Sequence, residues 1–432
     1  MRDIILIALV IPCAIAAIWR PIIGILCFAC LGFLNPQDMT FGIGRTLPLA
    51  QIVAIGTLTG FAFSAERKKI AISREITLLL ALWAMFAIST IFANYPDKAM
   101  PKLIYMSKVV LMSFLAATII NTESRLLWLV RIIALSLGYY GIDGGIKAIN
   151  SGYNETVTGP ATSWLSSNNS IGLALSINIP ILYYLARIDK NKLVRGLSIV
   201  MCLFCLPAIL CTFSRGAYLG MGAAAFMIMV RHKRKELSVL AFILLAAVFA
   251  IAYARVLPDT VVGRVDELVD YEEEASAESR FWNWEFCWRV GNSHPFTGAG
   301  FEFNQTTEVY ERYYPEFLTR WPNRVWNCHS SFLTMFGEHG YPGFIIWFSL
   351  IVLTIATPWK IGRYCKGHPE ASRLMDYAYL VEGAMIAFMV SGFFLDACYY
   401  EIVYYLIAMG IILNNIINKN NKLQHIREDP ES

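Results

Sequence analysis

Charge is what this chain has least of. Of its 432 residues only 16% are Asp, Glu, Lys or Arg, against about 25% in soluble domains. That shortage excludes an ordinary soluble domain. The formal net charge of +4 is far too small for the basic footprint of a nucleic-acid binder. No low-complexity tract and no repeat of 20–50 residues is visible, which excludes solenoid architectures. No small-residue cleavage site follows the first apolar run, so an uncleaved N-terminus is expected. Cysteine is not scarce, with ten in all. Most of them, such as Cys27, Cys30, Cys202, Cys205 and Cys211, lie inside apolar runs. There a free thiol behaves as a small hydrophobe and does not build a disulfide framework.

What the chain does have is apolar length. It is 56% hydrophobic, with a mean hydropathy of +0.51, and its apolar runs recur at about the 18 residues that cross a bilayer. Lipid offers backbone groups no partner, so the runs must be helices. The expected fold is an all-α polytopic membrane protein of about 12 transmembrane helices. The first run, 4–34, is interrupted at Arg20-Pro21. Further spans are expected at 49–64, 76–93, 103–120, 126–148, 170–186, 196–213, 217–230, 237–254, 341–359, 377–396 and 401–417.

Basic residues orient these spans. Arg67-Lys68-Lys69, the stretch 187–195, the stretch 231–235 and the stretch 360–373 all fall on one side under strict alternation, which makes that side cytoplasmic. The long polar segment from Arg255 then lies outside. It contains no lysine before His329, which suits that side. The run 4–34 crosses either once, kinked at Pro21 with the N-terminus inside, or twice with it outside. One net crossing is the expectation, with both termini cytoplasmic. The chain divides into an N-terminal bundle at 1–254, a partly helical periplasmic loop with an interfacial helix at 255–340, and C-terminal helices with a cytoplasmic tail at 341–432. Two further outer segments stand out, the Gly-, Ser- and Asn-rich stretch 150–169 and the tight turn Ser214-Arg215-Gly216.

A few polar residues could carry chemistry. Arg215 sits in a short turn between two apolar runs. It either snorkels from a helix end or clamps an anion, since the guanidinium fork fits phosphate oxygens. Arg280 lies among aromatics in Ser279-Arg280-Phe281-Trp282-Asn283-Trp284. It is either a surface arginine stacked on Trp282 or Trp284 or a second clamp. His329 precedes an apolar run. From His329 to Thr357 is roughly 43 Å of helix at about 1.5 Å per residue, too long for one straight span. A break is therefore expected at Gly337, Gly340 or Pro342-Gly343, leaving a short interfacial helix over 329–339. His329 is either a hydrogen-bonded interfacial residue or a general base for a sugar hydroxyl. His339, nearly three turns on, is read as packing or capping. Lys108 lies inside an apolar run and could face a polar cavity, as could Glu382 and Asp396, while Arg131 can snorkel inward. The acidic run Glu272-Glu273-Glu274, with Asp266, Glu267 and Asp270, reads as solvated surface without metal-ligand spacing. Cys287 and Cys328 are the two cysteines of the outer loop. They are either bridged, as an oxidising compartment permits, or free.

Taken together, these residues resemble the O-antigen ligase and polymerase superfamily of bacterial envelope enzymes. Three features carry the resemblance: Ser214-Arg215-Gly216 after a span; Ser279-Arg280 with Trp284, then Pro295, Gly298 and Gly300; and His329 opening a short helix with Glu338, Gly340 and Gly343. The usual His-Asn is His329-Ser330 here, as in a subgroup of O-glycosylation ligase-like proteins associated with exosortase systems. Pro21-Ile22-Ile23-Gly24, Asn35-Pro36, Gly144-Gly145, Gly159-Pro160 and Asn168-Asn169 also resemble that subgroup, so the likeness runs from near residue 1 to about residue 415. The resemblance implies transfer of a glycan from undecaprenyl diphosphate to a lipid A–core sugar hydroxyl, at the periplasmic face of the inner membrane. No cofactor, metal or nucleotide sugar is implied, and the partners are the lipid-linked donor, the acceptor and membrane lipids. Arg215 and Arg280 would hold the diphosphate, with Trp284 and Lys108 as further substrate contacts, and His329 would activate the acceptor. Polymerase and protein O-oligosaccharyltransferase activities belong to the same superfamily. A lipid-linked glycan transporter is a different class, but it should show two related halves, and none is detected.

Overall fold

Capping residues in the sequence start five of the helices where the structure has them. Ser73, Thr122, Ser167, Asn191 and Ser214 each accept a hydrogen bond from a backbone N–H two or three residues on, the usual N-cap contact. The computed structural model describes residues 2–63, 73–232, 273–322 and 324–428. The expected span at 237–254, part of the basic clusters near 67 and 233, and residues 255–272 of the acidic loop lie outside them.

The helices are α1 (Arg2–Trp19), α2 (Pro21–Leu34), the short α3 (Ile43–Thr46), α4 (Leu49–Phe63), α5 (Arg74–Ile91), α6 (Pro96–Ile119), α7 (Glu123–Asn150), α8 (Asn168–Ile188), α9 (Lys192–Leu210) and α10 (Arg215–Arg231). After the undescribed stretch come α11 (Glu273–Ser293), α12 (Thr307–Tyr313), α13 (Pro315–Arg320), α14 (Ser331–Ile355), α15 (Thr357–Gly367), α16 (Arg373–Gly392) and α17 (Glu401–Glu428). Among the described residues there is no strand, and nine helical stretches are long and apolar enough to cross a membrane. The shorter α2 and α4 are apolar too. The protein is an all-α, multi-pass membrane protein.

The N-terminal run departs from expectation. It makes a hairpin, not one kinked crossing. The Asp3 carboxylate accepts from the Gly42 and Gly44 amides (3.0 and 2.9 Å), and Arg2 reaches the Met39 carbonyl. The start of α1 therefore lies beside the segment that follows α2, and the two helices run antiparallel. The cause is local. Pro21 lacks an N–H to continue α1 and opens a new helix instead, while Asn35 ends α2 in the left-handed conformation (φ 46°) before Pro36. Small residues let the neighbours close in, because a Cβ at Gly56 or Gly60 would fall within 2.4 Å of the Ala14 or Ala17 carbonyl oxygen.

The two ends of the bundle differ in chemistry. At one end the helices are joined by ion pairs: Arg131–Asp189 (2.6 Å), Lys360–Glu75 (2.6 Å), Arg187–Asp376 and Arg373–Glu123 (both 3.2 Å). Arg231 pairs with Glu382 from the same side. Arg131 and Glu382, which the sequence left unoriented, are thereby satisfied. The opposite end carries the segment α11–α13, which has its own small core. Phe286 stacks on Tyr310 (3.9 Å between ring centroids), and Val290, Phe303, Phe317 and the two loop cysteines pack around them. Part of the polar segment thus folds as a cap on the membrane helices.

Candidate active site

The Ser214 hydroxyl caps α10, so Arg215 is the first residue of that helix and is exposed at the capped end of the bundle. Helix α11 carries Arg280, Trp284 and Cys287 at helical spacing on one stripe. Cys287 is bonded to Cys328, which fixes the residue immediately before His329 onto α11. His329 itself is left-handed (φ 50°), a costly conformation for a residue with a Cβ. It is held by neighbours. Its N–H donates to Asp396 Oδ2 (3.2 Å), Thr334 donates to the other Asp396 oxygen, and Ser331 Oγ bonds both the Leu395 carbonyl and the Ala397 N–H. The loop between α16 and α17 is therefore stitched under His329.

Electrostatics ties the three residues together. The Arg280 guanidinium is half-buried, and its pKa is pushed down first by burial and then by Arg215. The guanidinium stays charged, so the shift records burial first and the neighbouring positive charge of Arg215 second. No carboxylate pairs with Arg280 among the described residues. The His329 imidazole is likewise held below its ordinary value, by burial and then by Arg280, so it is neutral near pH 7. Asp396, buried beneath it, is pushed up to about 6 by burial, against the pull of Thr334 and the amides of His329 and Ser330. Arg280 opens into a small cleft lined by Asn169, Ser214, Gly216, Ser391 and Phe394.

The remaining sequence candidates are placed differently. Trp284 does not line that cleft. It packs edge-on against Phe393 (5.2 Å) and Phe281, and tilted on Phe394, so it backs the cleft wall. Lys108 is half-buried one turn below Tyr105 on α6 and lines neither the cleft nor the larger cavity described next. The break in α14 falls at Gly340 (φ 63°, ψ −168°), as the helix length demanded. The Pro295–Gly300 motif explains that break. Ala299 and Gly300 donate to the Gly337 and Glu338 carbonyls, Tyr341 donates to Pro295, and a Cβ on Gly298 would sit 2.2 Å from the Glu338 carbonyl. These glycines let two backbones meet and take no chemical role. His339 is buried between Phe86 and Phe301 and bonds the Tyr399 hydroxyl (2.7 Å).

Next to the Cys328–His329 turn, with Cys328 and Asp396 in its wall, lies a cavity of about 880 Å³. Its walls come from α2, α6, the 162–165 segment, residues 302–305, Thr334 and Glu338, and residues 396–401. Sequence reasoning did not find its α6 face. The signal was the spacing of Lys98, Lys102 and Tyr105, at i, i+4 and i+7 on one helix.

Residues 197–348 match the O-Antigen ligase family model. That match supports placing this segment in the O-antigen ligase superfamily. The ligase segment runs from α9 into α14 and contains Arg215, Arg280 and His329. Residues 1–190 match a family of unknown function, and this region supplies α2, α6 and the 162–165 wall of the large cavity. No curated protein matches the chain. Members of that family are glycosyltransferase-like enzymes whose substrates are, in general terms, a lipid-linked glycan and a lipid acceptor.

Proposed function

We propose that this protein is an O-antigen ligase. It moves a glycan from undecaprenyl diphosphate to a sugar hydroxyl of lipid A–core at the periplasmic face of a bacterial inner membrane. The observation that carries this reading is the convergence of Arg215 and Arg280, two like charges held within each other's field, next to a neutral histidine. Two guanidinium forks placed so suit the oxygens of a diphosphate. The Cys287–Cys328 bond supports an oxidising compartment on this side, and the basic clusters at the other end support a cytoplasmic assignment there. The His329-Ser330 pair supports the exosortase-associated subgroup.

In this mechanism the acceptor hydroxyl oxygen attacks the anomeric carbon while His329 takes its proton. The carbon–oxygen bond to the diphosphate breaks as the new glycosidic bond forms, and the electron pair leaves on the diphosphate. Arg215 and Arg280 stabilise that charge, so no acid need protonate the leaving group. A single displacement opposite the leaving group inverts the anomeric centre. Asp396 fixes the His329 backbone and Trp284 the cleft wall. A deletion strain tests the assignment. Loss of long-chain lipopolysaccharide with accumulation of lipid-linked polymer is expected. Loss of the polymer itself would mean a polymerase, and movement of lipid-linked glycan across liposomes without a glycosidic product would mean a transporter.

A further inference from the structure

We propose that the cavity of about 880 Å³ beside His329 is the acceptor pocket, and that it selects an acceptor sugar free of anionic groups. The inference rests on the ligase reading above and names the substrate class of its second site. Position comes first. Leu395 lines the Arg280 cleft and its neighbour Asp396 lines the cavity, so one loop separates the two. His329 is bonded through its amide to that loop and coupled electrostatically to Arg280. His329 lines neither space itself, but its neighbour Cys328 lines the cavity, so the base adjoins that wall. The cavity's size falls within the roughly 300–1,000 Å³ of small-molecule sites.

The walls describe the occupant. Trp164 is stacked on Tyr400 (4.1 Å, 18° between planes) at the cavity wall, a flat apolar surface suited to the C–H face of a sugar ring. Near it the Tyr400 hydroxyl, Gln37 Oε1 and Glu401 Oε2 are buried and find no hydrogen-bond partner among the described residues. Such orphan groups are uncommon in native structures and call for an occupant or an explanation. Charge then narrows the choice. Asp38, Glu302 and Glu401, with the deeper Glu338 and Asp396, line the cavity against Lys98 and Lys102, and no arginine lines it. Lys102 is already engaged by Glu302 (3.5 Å). A phosphate or uronate on the acceptor would enter among carboxylates with no guanidinium to meet it, which is repulsive discrimination. The diphosphate has the opposite surroundings in the cleft that Arg280 lines, with Arg215 nearby. The two substrates are thus sorted by charge. The cavity's α2, α6 and 162–165 walls also lie outside the ligase-family segment, in the residues that match the second family model.

The test uses full-length protein in detergent with one undecaprenyl-diphosphate-linked glycan as donor. Three lipid-linked acceptors are compared: a neutral disaccharide, the same compound bearing a 6-phosphate, and its uronic acid form. The neutral acceptor should be used with a kcat/KM at least about tenfold above either anionic one. Trp164→Ala and Glu401→Gln should raise KM for the neutral acceptor while leaving KM for the donor unchanged. Equal or better use of the anionic acceptors would overturn the inference while leaving the ligase reading intact. If no acceptor turns over, the ligase reading fails. Calorimetric titration of the three acceptors into the His329→Ala protein then still decides the pocket, because equal or tighter binding of the anionic ones, or no binding of the neutral one, contradicts it.

Discussion

At the scale of the residue, the account turns on how Arg280 sets His329. Burial and then the positive field of Arg280 disfavour the imidazolium, so His329 titrates below the ordinary histidine value of about 6.5. A general base works in its neutral form. kcat/KM should therefore climb as pH rises through this depressed pKa and reach its plateau before neutrality. Replacing Arg280 by Met removes the field, so the imidazole pKa rises and the acid limb of the profile should move to higher pH, whatever happens to the rate. An acid limb that stays put would break the coupling. The arginines make a second, separable prediction. Lys in place of Arg215 or Arg280 keeps the charge but loses the bidentate fork, so KM for the donor should rise in each variant. Normal turnover of both at low donor concentration would remove the clamp. These three residues were legible because charge in an apolar chain is scarce and each one is conspicuous. Asp396 was seen only as an unoriented carboxylate, since its partner is a backbone amide 67 residues away, and no spacing rule reports such a contact.

At the scale of the element, the kink in α14 and the Pro295–Gly300 segment form one unit. Gly340 is left-handed, and a Cβ there would lie 2.5 Å from the Pro295 carbonyl oxygen. Gly340→Ala should lower the melting temperature, since the conformation alone costs about 1–2 kcal/mol and the backbone contact cannot relax by a rotamer change. Gly196→Ala, in α9 with no atom within 4 Å of the new methyl, serves as the control and should melt like the wild type. If the two variants melt alike, the glycine motif is not a packing device. The break was predictable because length is arithmetic. The N-terminal hairpin was not, since Arg20-Pro21 permits a kink or a reversal equally well, and contacts of Asp3 with Gly42 and Gly44 decide it. The Cys287–Cys328 bond was left open for the same reason: proximity belongs to the tertiary fold.

At the scale of the whole molecule, the chain separates its charges by end. Ion pairs tie the helices at one end, and the cap, the Arg280 cleft and the large cavity share the other. The account predicts that the cap and the N-terminus lie on the same side. A reporter after Glu274 and a reporter before Arg2 should both signal from the periplasm, and one at the C-terminus from the cytoplasm. A cytoplasmic signal after Glu274 would overturn the orientation and the site with it. The all-α, multi-pass fold class followed from hydropathy, because lipid leaves so few choices. The large cavity did not, since its walls come from segments hundreds of residues apart that only packing brings together.

The most direct measurement takes wild-type and His329→Ala proteins from parallel preparations, with a defined undecaprenyl-diphosphate donor and an acceptor. Donor affinity and single-turnover rate are read on each, and the anomeric configuration of the product on the wild type. The account predicts unchanged donor affinity, a rate at least about 100-fold lower for the variant, and an inverted product. A near-normal rate without His329, or retention at the anomeric carbon, would contradict it.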